Sequence, residues 1–386
     1  MKLITLLLFL LPVSAISQNF SYNQGGTSQK NYYQEIPYLN INGKIFVDVE
    51  IAGGKHRFLL DTGAPTAISN ELAAQIGAKV INQSTIHDTF HRTNPVTTVQ
   101  ANGIKLGDIT FDQIPAITVM SDLYTCFGAD GVIGSNLLRN SIVSIDSKRH
   151  MIILTDQKKK LALKSKNSVD MITNVGVQSD PQIKIVLKNK LTLTIPFDSG
   201  DNAFLRIDDK TVRDLRQYTL FDTLAKGYGA SAMSMFGMQQ ADIKHLYKVV
   251  FFTVGNGRFD NLIIESNKEV IPAIGSKLLA YGVATLDFIH SKFYFDAYQI
   301  ETDLSEKQWP LRPTFVGKLI IGVVWDKASD IVKQGEQIIA IDDRDYSNAT
   351  LCELLNDTPP LYGKEQATLT LKNAQGEIRK VTIKKE

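Results

Sequence analysis

The sequence predicts a mostly β protein: a duplicated, two-lobed body followed by a smaller third domain. Three observations predict it. First, Phe58-Leu59-Leu60-Asp61-Thr62-Gly63-Ala64 is echoed by Ile195-Pro196-Phe197-Asp198-Ser199-Gly200. Second, each copy is followed by an apolar-Gly-Ser motif, Val132-Ile133-Gly134-Ser135 and Ala273-Ile274-Gly275-Ser276. The Asp-to-Gly spans, 61 to 134 and 198 to 275, are 73 and 77 residues. Asp146 and Asp287 then stand twelve residues beyond each glycine. Third, the segments leading to each Asp alternate apolar and polar residues, the period of a half-buried strand. A repeat on this scale sets the architecture before any local signal does.

The elements follow in order. Lys2, the apolar run Leu3 to Val13 and the small-x-small site Ala15-Ile16-Ser17 read as a secretory signal over 1–17, with Gln18 as the mature start. That run is too short for a membrane span, and no later stretch is long and apolar enough for one. Residues 18–30, rich in Asn, Gln, Ser and Gly, are expected to be flexible. The first lobe is placed at 31–157. Val47, Val49 and Ile51 alternate, Gly53-Gly54 marks a turn, and Phe58 to Leu60 return into Asp61. A short helix is expected over Asn70–Ile76, capped by Ser69 or Asn70. Lys158 to Lys160 open a solvated linker, 158–169. The second lobe, 170–300, repeats the plan: Ile183, Ile185 and Leu187, a turn at Asn189, then Leu191, Leu193 and Ile195 before Asp198. A second helix is expected from Asp208 to Arg216. Trp309-Pro310 to Pro313 mark a boundary, and 312–386 form the last domain.

These four motifs, in this order and spacing, resemble the aspartic peptidases of the retropepsin and pepsin type over roughly residues 31 to 300. The resemblance implies two homologous acid-protease β-barrel lobes forming a cleft, with Asp61 and Asp198 as a catalytic dyad. Thr62 and Ser199 would cross-bond the two loops. Gly63 and Gly200 would let backbone approach the acids without a Cβ between. Leu137 to Arg139 and Leu278-Leu279 look like the short helical turn after the family's glycine motif. Two neighbouring carboxylates cannot both ionise, so they share a proton: one activates water and the other donates to the carbonyl oxygen. The flaps would be roughly Thr85 to Val99, with Phe90 as a cover, and the Gly/Met-rich stretch Gly227 to Gly237. The chain departs from the family at Asp201, where Ala, Ser or Thr is usual. A third carboxylate there would raise the dyad's pKa values if it pointed inward, and it is expected to point to solvent.

Gly335-Glu336-Gln337-Ile338-Ile339-Ala340-Ile341-Asp342 resembles the middle of a PDZ domain, with Asp343 in place of the usual Gly. This implies a small α+β domain with a helix over 351–357 and closing strands at Ala367–Leu371 and Arg379–Ile383. Phe315 to Ile321 is the candidate loop for a terminal carboxylate. Such a domain either takes a peptide ligand or only packs on the lobes.

Composition narrows the function classes. With 42 Lys and Arg against 40 Asp and Glu, a net charge of +2 gives no reason to expect a nucleic-acid partner. His87 and His91 have no third ligand in view, so no metal is expected, and no organic cofactor is implied. Cys126 and Cys352 fall in different domains and would pair only if those domains dock closely; two free thiols are expected. The expected function is therefore an exported, periplasmic or extracellular aspartic endopeptidase acting on extended polypeptide. The rival is a non-catalytic peptide-binding protein, a degenerate peptidase body joined to a PDZ-like module. A peptidase dedicated to one partner protein is a third reading.

Overall fold

The computed structural model describes residues 20–118 and 122–386. The expected signal segment, 1–17, and its start at Gln18 lie outside them. The protein is mostly β, and its first three-quarters are organised around one shared antiparallel sheet. The strands run in the order Tyr33–Ile41, Met151–Thr155, Ile142–Asp146, Gly282–Asp287, Lys292–Ala297, Ser168–Ile172. The central pair joins the halves in the register Ile142 to Asp287 and Ile145 to Ala284. Asp146 and Asp287, the last matched pair of the sequence repeat, therefore end the two central strands.

Each half builds on this sheet in the same way. In the first, Lys44–Ile51 pairs antiparallel with Gly54–Asp61. The turn residues with positive φ are Ala52 and Gly53, one step earlier than the expected Gly53-Gly54. In the second, Gln182–Leu187 pairs with Thr192–Asp198 around Asn189 and Lys190, both at positive φ. Two consecutive left-handed residues make the hairpin turn whose twist matches that of its strands. The apolar residues of these strands enter one continuous core that runs through both halves, from Ile45, Val47 and Phe58 to Ile183, Phe197 and Phe293. The helices are short and capped: Asn70–Gln75 by Ser69, whose hydroxyl accepts from the Leu72 N–H, and Asp209–Asp214 by Asp208.

Residues 20–30 are packed, contrary to the flexible segment expected. Phe20 and Tyr22 meet edge to face at 5.3 Å, and Tyr22 is buried in an apolar cluster with Phe46, Leu59 and Tyr124. Its N–H donates to Val177 O, and Gly26 and Asp112 exchange backbone bonds. Two aromatic side chains thus outweigh a polar local composition. The linker is exposed or half-buried along most of its length, and within it Lys158 Nζ lies 3.6 Å from the fully buried Asp287 carboxylate.

The C-terminal residues have their own core, including Trp309, Leu311, Ile321, Ile338 and Leu369. The helix Leu351–Asn356 is closed by a capping box between Thr350 and Glu353, and the strands Gln366–Lys372 and Ile378–Lys384 pair antiparallel. The segment Phe315–Ile321, expected to be a loop, is instead a tight hairpin joining Leu311–Phe315 to Leu319–Trp325. This body is held at two places. Its strand Leu319–Trp325 pairs with Phe221–Gly229 of the second half, Gly227 opposite Trp325 and Gly229 opposite Val323. Its helix Leu351–Asn356 lies on the first half. Cys126 and Cys352 are joined in a disulfide, which corrects the expectation of two free thiols. The close docking that pairing requires is made by Asn42, whose Nδ2 donates to Leu355 O (2.6 Å) and Asp357 O (2.9 Å), and by Asn356, which donates to Cys126 O.

Candidate active site

The two Asp-Thr/Ser-Gly segments meet face to face. Each Asp ends a strand that is paired in parallel with the following apolar-Gly strand: Gly134 lies opposite Asp61, and Gly275 opposite Asp198. These glycines are required by space. A Cβ on Gly134 would sit 2.3 Å from Thr66 N, and one on Gly275 would sit 2.4 Å from Ala203 O. The strand can therefore press against the loop that presents the acid.

The loops are cross-bonded at their base. The Thr62 N–H donates to Ser199 Oγ (3.0 Å), and the Ser199 N–H donates to Thr62 Oγ1 (3.0 Å). The Thr62 hydroxyl donates on to Phe197 O (2.6 Å), the Ser199 hydroxyl to Leu60 O (3.0 Å). Both side chains are fully buried. Above them, a Cβ on Gly63 would lie 2.6 Å from Asp198 Cγ, and one on Gly200 would lie 2.2 Å from Asp61 Cγ. The Gly63 N–H donates to Asp61 Oδ1, and the Gly200 and Asp201 N–H groups donate to Asp198 Oδ1. All six residues expected at the site, Asp61, Thr62, Gly63, Asp198, Ser199 and Gly200, are thus in one constellation.

Further residues complete a two-fold pattern that the sequence does not advertise. Lys44 Nζ donates to Gly200 O (2.6 Å), while Gln178 Nε2 donates to Gly63 O (2.9 Å). Ser276 Oγ donates to Gly43 O and Ser135 Oγ to Gln178 O, both at 2.8 Å. Each half thereby braces the loop of the other. The two serines are matched in the repeat and could have been found there. Lys44 and Gln178 are unlike residues at inexact offsets, so no pattern flags them.

The electrostatics are not symmetric. Burial raises the Asp61 pKa well above the ordinary carboxylate range, and the charge of Asp198 raises it further. Burial and then the Asp201 carboxylate raise Asp198, while Arg206 and Lys44 pull it down. Burial thus favours the protonated form of both carboxyls, and the pair titrates as one unit. Asp201 does not point to solvent as expected. Its Oδ2 is 2.6 Å from Arg206 Nε, and Arg206 Nη2 reaches to 3.8 Å from Asp198 Oδ2. Arg206 thus offsets the extra acid. Asp180 is a fourth nearby carboxyl: burial and the Asp198 charge push it up to about 7, against a hydrogen bond from Gln182. Tyr124, fully enclosed, is raised by burial and by both dyad carboxylates.

The two expected flaps touch each other. The hairpin Lys79–His87 with Thr93–Ala101 ends in a turn at 88–92 that contains Phe90 and His91. Arg92 donates to Met238 O (2.8 Å), Gly237 O (2.6 Å) and Ser234 Oγ (2.8 Å), all in the tip after Phe221–Gly229. Asp88, almost fully buried, holds Arg92 Nε at 2.9 Å and accepts from Ser234 Oγ. The two tips are clasped to each other.

Comparisons with known proteins add to this geometry. No curated protein matches the chain. Among solved structures, basic 7S globulin from soybean aligns with a TM-score of 0.41 at 10% identity, covering 70% of this chain and 96% of that one. Residues 47–137, which carry Asp61 and the first Ile-Gly motif, match the family model described as aspartyl protease.

Proposed function

We propose that this chain is an aspartic endopeptidase in which two lobes present Asp61 and Asp198 to one water molecule. The observation that carries the reading is the reciprocal approach of Gly63 to Asp198 and of Gly200 to Asp61. Ionised Asp198 takes a proton from the water as it attacks the peptide carbonyl. Protonated Asp61 donates to the carbonyl oxygen as the tetrahedral intermediate forms. As the C–N bond breaks, Asp198 gives its proton to the leaving nitrogen and Asp61 takes one back from a hydroxyl of the tetrahedral diol, so the pair again holds a single proton. Thr62 and Ser199 hold the carboxylates in place, and the clasped flaps exclude water from the reacting bond. An extended peptide beneath the flaps would bond through its backbone.

The C-terminal body is read as a PDZ-like module docked beside the cleft. Its helix places Leu355 against the apolar cluster that includes Tyr22, Phe46 and Tyr124. Export to an oxidising compartment is part of the proposal, and the Cys126–Cys352 disulfide supports it, because such bonds persist where thiols are not kept reduced.

The test is incubation of residues 18–386 with a mixed peptide library from acid to neutral pH, beside Asp61→Asn and Asp198→Asn. Cleavage abolished in each variant is expected, since neither remaining carboxylate can both activate water and protonate the product. Peptides retained but uncut by the wild type would replace this reading with that of a binding protein.

A further inference from the structure

Away from the dyad, the second half has a cavity of about 230 Å³ between the helix Asp209–Asp214, the 3₁₀ turn after it, and the strands Phe221–Gly229 and Asp242–Val254. Arg213 and Arg216 line it from one side. Neither guanidinium has a carboxylate partner or a hydrogen-bond acceptor among the described residues. The neighbouring acids are already taken: Asp214 pairs with Lys210 at 2.7 Å and Asp222 with Lys248 at 3.0 Å. From the other side comes Tyr247, 8% exposed as a residue, with no hydrogen-bond partner on its hydroxyl among the described residues. Burial raises that hydroxyl's pKa and Asp209 raises it further, while Arg213 and Arg216 lower it. His245 stacks on Tyr247 at 5.6 Å and is oriented by the buried Asp209, 3.0 Å from its Nδ1. Asp209 is itself held by the Ser266 hydroxyl. Thr223 and the Phe221 ring complete the wall.

We infer that this cavity is a binding site for a small oxyanion group, a phosphate or carboxylate, held by Arg213, Arg216 and the Tyr247 hydroxyl. Two unpaired guanidiniums supply charge-assisted donors in the fork geometry that such groups match. A partnerless hydroxyl on a buried, braced ring adds an oriented donor. The volume is below the roughly 300–1,000 Å³ of drug-sized ligand sites, so the cavity takes a head group rather than a whole metabolite. The inference does not depend on the peptidase reading, because none of these residues belongs to the dyad.

The experiment is calorimetric titration of the intact protein with inorganic phosphate and, separately, with acetate, at constant ionic strength. Saturable binding of one or both is expected, and which one binds identifies the class of head group. Arg213→Ala with Arg216→Ala should weaken it at least tenfold, and Tyr247→Phe several-fold. Both arginines are exposed and the phenylalanine keeps the ring, so the fold is expected to persist; unchanged far-ultraviolet circular dichroism checks this. No saturable binding to the wild type, or equal binding to the double arginine variant, overturns the site. Asp61→Asn should bind as the wild type does.

Discussion

Thr62 and Ser199 show what a single buried hydroxyl does here. Each accepts one N–H from the opposite loop and donates to a strand carbonyl. Thr62→Val keeps the shape but leaves a buried N–H and C=O unpaired. A loss of about 2–5 kcal/mol is expected in denaturant unfolding, together with loss of peptide cleavage. Charge at single residues sets the pH response. Asp201 raises Asp198, so Asp201→Asn should let Asp198 ionise at lower pH and shift the acid limb of any activity profile downward. Lys44 lowers both acids, so Lys44→Met should move the profile the other way. Asp180 concerns stability. Its carboxyl is pushed up to about 7 from an ordinary value of 3.8, so the folded state binds its proton more tightly than the unfolded chain. Folding stability from this group is therefore present below about pH 4 and lost as pH rises towards 7. Asp180→Asn should leave the melting temperature at pH 4 unchanged. At pH 7.5 it should stabilise by on the order of 2 kcal/mol, discounted for partial solvent access.

At the scale of elements, the flap clasp rests on Arg92 and on the bond from Ser234 to Asp88. Arg92 makes three bonds across the gap, and the tip it reaches is rich in glycine and methionine. Arg92→Ala should free both tips. Hydrogen exchange at 86–92 and 231–239 is expected to accelerate at least tenfold, while that of the central six-stranded sheet stays unchanged. If the clasp gates access, the turnover of long peptides should respond more than that of short ones. The hairpins that lead into each Asp were legible in the sequence because alternation has a period of two and both turns carry residues that tolerate positive φ. The clasp was not, because Arg92 and Met238 are far apart in sequence and neither belongs to a recurring pattern.

At the scale of the whole molecule, the C-terminal body spans the two halves, by strand pairing to one and by a disulfide to the other. The disulfide closes a span of 226 residues, which on chain-entropy grounds limits the unfolded state by on the order of 5 kcal/mol before any strain. Cys126→Ser with Cys352→Ser should lower the melting temperature and release the helix Leu351–Asn356. The strand pairing at Gly227 to Gly229 should survive. Limited proteolysis would show this as new cleavage near 350–357 with the region 319–325 still protected.

The sequence by itself determined the mostly β character, the duplication and the six residues of the paired loops. A repeated motif at nearly fixed spacing leaves few ways to fold, and local hairpin chemistry writes itself into two or three adjacent residues. Only the tertiary structure decided that Arg206 neutralises Asp201 and that the flap tips interlock. The same holds for the ordered residues 20–30, for the pairing of Cys126 with Cys352 and for the gathering of Arg213, Arg216 and Tyr247 round one cavity. Each of these depends on where distant side chains arrive once the core has closed. A charge or thiol carries no local mark of the partner it will meet.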